Sequence, residues 1–118
     1  MAFRFESLNI WKDAIEYANE LYEIAKKFPT EEKFALTDQL KRAAVSISNN
    51  IAEGSGSTTV KNFCSFLDIS IKSTLETVNV LYFAEKRQYI TSHERQKLYN
   101  NAESLIRKIR AFKNSLKP

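Results

Sequence analysis

Gln39-Leu40-Lys41-Arg42-Ala43-Ala44-Val45-Ser46-Ile47-Ser48-Asn49-Asn50-Ile51-Ala52-Glu53-Gly54-Ser55-Gly56 is the stretch on which the fold turns. At about 100° per residue, Leu36, Leu40, Ala44, Ile47 and Ile51 fall on one narrow apolar stripe of a helix. Gln39, Ser46, Asn50 and Glu53 gather within roughly 60° beside that stripe, with Arg42 at the edge. A helix so patterned must lay its stripe against other helices. Thr37 is the expected N-cap, since its hydroxyl can accept from a free amide two or three residues on. Gly54 is expected just past the helix, where a left-handed backbone suits glycine. The short connection to Thr58 then favours antiparallel packing of its two neighbours.

Upstream, Leu8, Trp11, Ile15, Ala18, Tyr22 and Ala25 share one side of a helix expected over 8–28, which Pro29 ends. Its other side is polar and acidic, interrupted by Tyr17 and Ile24. Downstream, a long helix starts near Thr58 or Thr59 and runs to about Gln88. One seam of it reads Phe63, Leu67, Ile71, Thr74, Val78 and Leu81. Phe66, Ile69, Val80 and Phe83 form a second apolar set on roughly the opposite half. One copy of the chain offers too few helices to cover both, so this second set is assigned to an interface between copies. Thr91 and Glu94 have the spacing of a capping box. They open a last helix whose inner stripe is Leu98, Ala102, Leu105, Ile109, Phe112 and Leu116.

The whole chain is 118 residues, the size of one domain able to bury a core without disulfide or metal. Residues 1–118 are therefore read as a single all-α domain, an antiparallel up-down-up-down four-helix bundle. Only two glycines and two prolines punctuate it, too few for the turns of a small β-domain. Cys64 is the only cysteine, which fits a reduced, cytoplasmic setting and a core role. No apolar run is long enough for a membrane span, and no membrane partner is expected.

Charge is unevenly spread around the formal +4. Seven basic residues face nine acidic ones over 1–54, four face three over 55–91, and seven face two over 92–118, giving −2, +1 and +5. The basic character belongs to the last helix, where Arg107, Arg110 and Lys117 lie on the outer face and Lys108 and Lys113 flank it. Cations at this spacing can neutralise successive phosphates. The competing account is a lysine-rich face that keeps a bundle soluble.

Catalysis and cofactor binding find little support. His93 is the only histidine and has no evident metal co-ligand or catalytic partner. The Gly54–Ser57 run lacks the lysine of a phosphate loop. No cofactor or metal is expected. The polar edge of Gln39, Arg42, Ser46, Asn50 and Glu53, joined by Ser73 and Glu76 from the third helix, is read as a structural network. In it Arg42 pairs with Glu53 or Glu76, because a half-buried guanidinium needs an anion.

Several segments together resemble a known family: Phe5-Glu6-Ser7-Leu8-Asn9-Ile10-Trp11-Lys12, Phe28-Pro29, the run Gln39–Gly54, and Ser73 with Glu76. They are similar to bacterial four-helix-bundle proteins first noticed as open reading frames inside intervening sequences of large-subunit ribosomal RNA genes. They are also similar to the accessory variability determinant of diversity-generating retroelements. The resemblance implies a noncatalytic homo-oligomer, with a homopentameric ring expected. It further implies an accessory role beside RNA or DNA, and a reverse transcriptase or another protein as partner. The alternative is a protein-interaction scaffold without nucleic-acid binding, docking through Tyr17, Ile24, Phe66 and Phe83.

Overall fold

The computed structural model describes residues 2–116. Four helices, α1 (Asn9–Ala25), α2 (Leu36–Ser55), α3 (Val60–Lys86) and α4 (Ser92–Leu116), are joined by short connections, with single 3-10 turns at Arg4–Ser7 and Thr30–Glu32. Each helix packs on its neighbours in sequence, and α4 closes back on α1. The result is an antiparallel up-down-up-down bundle of 46 × 24 × 21 Å with no strand among the described residues.

Capping chemistry fixes where the two long helices begin. Thr59 accepts the amide hydrogen of Asn62 at 3.1 Å and starts α3. Thr91 and Glu94 form the reciprocal box expected of them, the Glu94 amide donating to Thr91 Oγ1 at 3.0 Å and the Thr91 amide to Glu94 Oε1 at 2.9 Å. The other end of α3 is closed by Gln88, whose φ of 64° lets the Tyr89 amide donate to the Ala84 carbonyl and its own amide to that of Glu85. Thr37 does not cap α2. The helix starts at Leu36, after Ala35, which puts Thr37 inside its first turn.

Gly54 also departs from expectation. It lies inside α2, buried and without positive φ, and the helix continues to Ser55. A Cβ on Gly54 would stand 2.7 Å from Cβ of Phe66 and 3.0 Å from Cδ1 of Phe63. Glycine is required there by the closeness of α3. Glycine within a helix costs about 0.5–1 kcal/mol relative to alanine, which the packing it permits must offset.

The interior is one continuous apolar cluster in which Leu21, Leu40, Ile47, Ile51, Leu67, Leu81 and Ile109 are fully buried. Each such side chain contributes about 1.5–3 kcal/mol on leaving water. The α4 stripe of Leu98, Ala102, Leu105 and Ile109 is buried, Phe112 and Leu116 are partly covered, and Ile106 joins the core beside them. In α1 the buried face is instead Ile10, Ala14, Tyr17, Ala18, Leu21 and Ala25, while Ile15 and Tyr22 are exposed. This face is rotated by roughly 80° from the expected one, at about 100° per residue. Tyr17 is 2% exposed and unavailable to a docking partner.

Val80 requires the same correction. It is 1% exposed inside the bundle, so it belongs to the core and not to a surface between copies. Ile69 and Phe83 do face outward, at 44% and 56% exposure, and Phe66 is half-buried against Gly54. One copy therefore hides more of α3 than periodicity implied.

Candidate nucleic-acid interface

Polar groups within the bundle are fully used. Ser70 on α3 donates to the Ile47 carbonyl of α2 at 2.9 Å, and Thr74 donates to the Ser70 carbonyl at 2.8 Å. Thr77 donates to the Thr74 carbonyl at 2.6 Å, so its oxygen is left to accept from the Tyr17 hydroxyl at 2.8 Å. Burial is the main force pushing the Tyr17 phenol up to about 12, with the charge of Glu20 adding to it. No buried side-chain nitrogen or oxygen among the described residues lacks a partner.

The polar edge of α2 divides into two parts. Ser46 and Ser73 share a hydrogen bond of 2.8 Å across the α2/α3 seam. Asn50 donates to the Ser46 carbonyl at 2.8 Å and to its Oγ at 3.1 Å. Arg42 does not join this group. It is largely exposed and pairs with Asp38 one turn away at 2.8 Å, so neither Glu53 nor Glu76 is its partner. Gln39, Glu53 and Glu76 are exposed. Arg42 and Glu53, with Tyr22, Lys41 and Asn49, line an open groove of about 700 Å³ on the α1/α2 side.

The basic residues of α4 spread around its outer circumference. Lys108 lies toward α1, 3.3 Å from Asp13, and Lys113 lies toward α3, 2.7 Å from Asp68. These two cations tie α4 to its neighbours and absorb part of the charge asymmetry. Near the start of α4, Glu94 pairs with Lys27, just past the end of α1. That bond, followed by the one from the Thr91 amide, holds the Glu94 carboxyl below the usual carboxylate range.

Arg107 and Arg110 are what the seams leave outside. Arg107 reaches Glu103 only at 3.8 Å with both side chains mostly exposed, and Arg110 has no carboxylate partner among the described residues. Lys117 lies outside the described residues. Both arginines line a groove of about 270 Å³ between α3 and α4, together with Leu75, Val78, Tyr99, Ala102, Glu103 and Ile106. A second groove, of about 440 Å³, adjoins it and shares Leu75 and Arg110, adding Ile71, Lys72 and Lys113.

Beside the first groove, Tyr82 and Tyr99 meet edge to face at 6.3 Å. Arg95 stacks over Tyr82 at 4.6 Å and donates to Glu85 at 2.7 Å. The Glu85 hydrogen bond is the main reason the Arg95 guanidinium is held more firmly protonated than usual. The sequence singled out the arginines but not Leu75, Tyr82, Tyr99 or Arg95. Their meeting depends on the antiparallel register of α3 and α4, which no local pattern reveals. Among the described residues no group of three or more His, Cys, Asp and Glu could hold a metal ion, and no helix is long and apolar enough to cross a membrane.

A sequence profile of the 23S rRNA-intervening sequence proteins matches residues 6–111. The fold is similar to the crystal structure of a protein of unknown function from the S23 ribosomal protein family of Bacteroides thetaiotaomicron. The TM-score is 0.79 at 23% identity, over 87% of this chain and 96% of that one. No curated protein matches the chain.

Proposed function

The chain belongs to the family of 23S rRNA-intervening sequence proteins, and from that premise we propose that it is a noncatalytic, homo-oligomeric accessory protein that contacts nucleic-acid phosphates through the outer side of α4. The observation that carries the proposal is the pair Arg107 and Arg110. The two stand nearly one turn apart and point outward, whereas Lys108 and Lys113 beside them are engaged with carboxylates of adjacent helices. Repetition of the pair in an oligomer turns a weak contact into avid binding.

Titration of labelled structured RNA and duplex DNA at low and moderate salt tests this. Binding should weaken steeply with salt. Changing Arg107 and Arg110 to Glu should abolish it while the helical circular dichroism stays unchanged. Absence of binding at low salt removes the proposal.

A scaffold role rests on a different observation, the exposure of Ile69 and Phe83 on α3. That surface is assigned here to self-association, with a pentamer as the expected number from the resemblance. Light scattering decides it, since a monomer at micromolar concentration would leave Ile69 and Phe83 without a covering copy.

A further inference from the structure

Phosphate contact alone does not account for the chemistry of the α3/α4 seam. A surface that only meets the backbone of a duplex needs cations, because the bases stay stacked inside. Here the cations border an apolar floor. The two adjoining grooves share Leu75, which is 53% exposed in the middle of a cationic surface. From Tyr99 to Asn114 their α4 wall runs about 22 Å at about 1.5 Å per residue.

We infer that the α3/α4 grooves take a single-stranded nucleic acid, an unstacked base lying on Leu75, Ile106 and Tyr99 while neighbouring phosphates meet Arg107, Arg110 and Lys72. The inference rests on the nucleic-acid proposal for α4 and specifies the strand state of the ligand. A single strand presents flat apolar rings and phosphates in alternation, and proteins that hold one combine a cationic track with stacking side chains. The smaller groove, about 270 Å³ and open on one side, admits a planar ring. Tyr82, 46% exposed, adds a second aromatic ring beside the first groove, set edge to face against Tyr99. Charge favours the same ligand. The two grooves are lined by Lys72, Arg107, Arg110 and Lys113 against Asp68 and Glu103, so the seam keeps a positive balance.

The test is fluorescence anisotropy on the full chain at one low salt concentration, comparing labelled oligouridylate of about 15 nucleotides with RNA and DNA duplexes of equal length. The single strand should bind about tenfold or more tighter than either duplex. Tyr99→Ala and Leu75→Asp should each weaken single-strand binding about tenfold, Tyr99→Phe should retain it, and Arg107→Glu should weaken single strand and duplex alike. Circular dichroism confirms folding, which Leu75→Asp should leave intact because the side chain is mostly in water. Equal binding of duplex and single strand, with Tyr99→Ala neutral, overturns the inference and leaves the phosphate proposal standing. No binding of any probe removes both. If Leu75→Asp lowers the mass of the assembly and leaves nucleic-acid affinity unchanged, the groove is a protein-docking surface and the inference fails.

Discussion

The two long sides of α3 meet their neighbours in opposite ways. Toward α2 the seam is made of small side chains, so Ser70 can reach the Ile47 carbonyl and Gly54 leaves no room for even a methyl group against Phe66. Toward α4 the bridging groups are long: Phe63 on Phe112 at 5.6 Å, Lys113 on Asp68, and Arg95 on Glu85. Small residues bring helix surfaces into direct contact, whereas long ones hold them apart and leave grooves between their tips. The first seam is built for rigidity. The second leaves Leu75, Arg107 and Arg110 where a ligand can reach them.

The strongest way to break this contrast is Gly54→Val, which forces a branched side chain into the tight seam. It should cost about 3 kcal/mol in urea unfolding. Gly56→Ala, whose Cβ would meet only the Glu53 carbonyl at 3.5 Å, should change stability by less than about 0.5 kcal/mol. Equal denaturation midpoints for Gly54→Val and the unaltered protein would mean that close approach is not needed.

Next in size is an alkaline effect at the Tyr17–Thr77 contact. The folded phenol titrates at about 12 against an ordinary value of 10.0, so the protonated form is favoured by folding. This contribution is fully present below pH 10 and is lost as pH rises from 10 through 12. It amounts to about 2–3 kcal/mol at about 1.4 kcal/mol per pH unit. Tyr17→Phe should lack that loss. If both proteins lose stability in parallel between those pH values, burial of the phenol is not what resists ionisation.

A smaller pair of substitutions weighs the seams directly. Ser70→Ala removes the bond to the Ile47 carbonyl and should cost about 1 kcal/mol, independent of salt. Lys113→Ala on the open side should cost about 0.2–1 kcal/mol and less as salt rises. The reverse ranking would contradict the division of labour between the two sides. Smallest of all, Arg42→Ala should lower single-chain stability by about 0.5 kcal/mol or less, because its Asp38 partner is an exposed neighbour on the same helix. A fall in assembled mass measured by light scattering would then place Arg42 between copies, a role that its pairing within one chain does not supply.

How far the sequence could be read varied along the chain. The start of α3 at Thr59, the box at Thr91 and Glu94, and the inner stripe from Leu98 to Ile109 were legible because each depends on residues a few positions apart. The buried side of α1 was not. Ile10, Trp11, Ala14, Ile15, Tyr17, Ala18, Leu21 and Tyr22 offer two overlapping apolar stripes, and only the placement of α2 and α4 selects between them. Gly54 was seen as important for the wrong reason, since a glycine near a helix end signals a turn unless the neighbouring helix is already in view. Within the candidate interface, Arg107 and Arg110 could be named in advance, whereas Leu75 and Tyr99, far apart in sequence, could not be joined to them.

The amino-acid sequence by itself determined four helices, the caps that open the last two and the antiparallel order, because hydrophobic period, capping hydrogen bonds and short connections all act over a few residues. Only the tertiary structure decided that Val80 and Tyr17 are interior, that Arg42 faces water, and that the α3/α4 side opens into grooves. Those outcomes depend on the rotation and separation of whole helices. Both are set by the fit of residues on different helices, such as Gly54 beneath Phe63 and Phe66 in one seam together with Phe63 against Phe112 in the other.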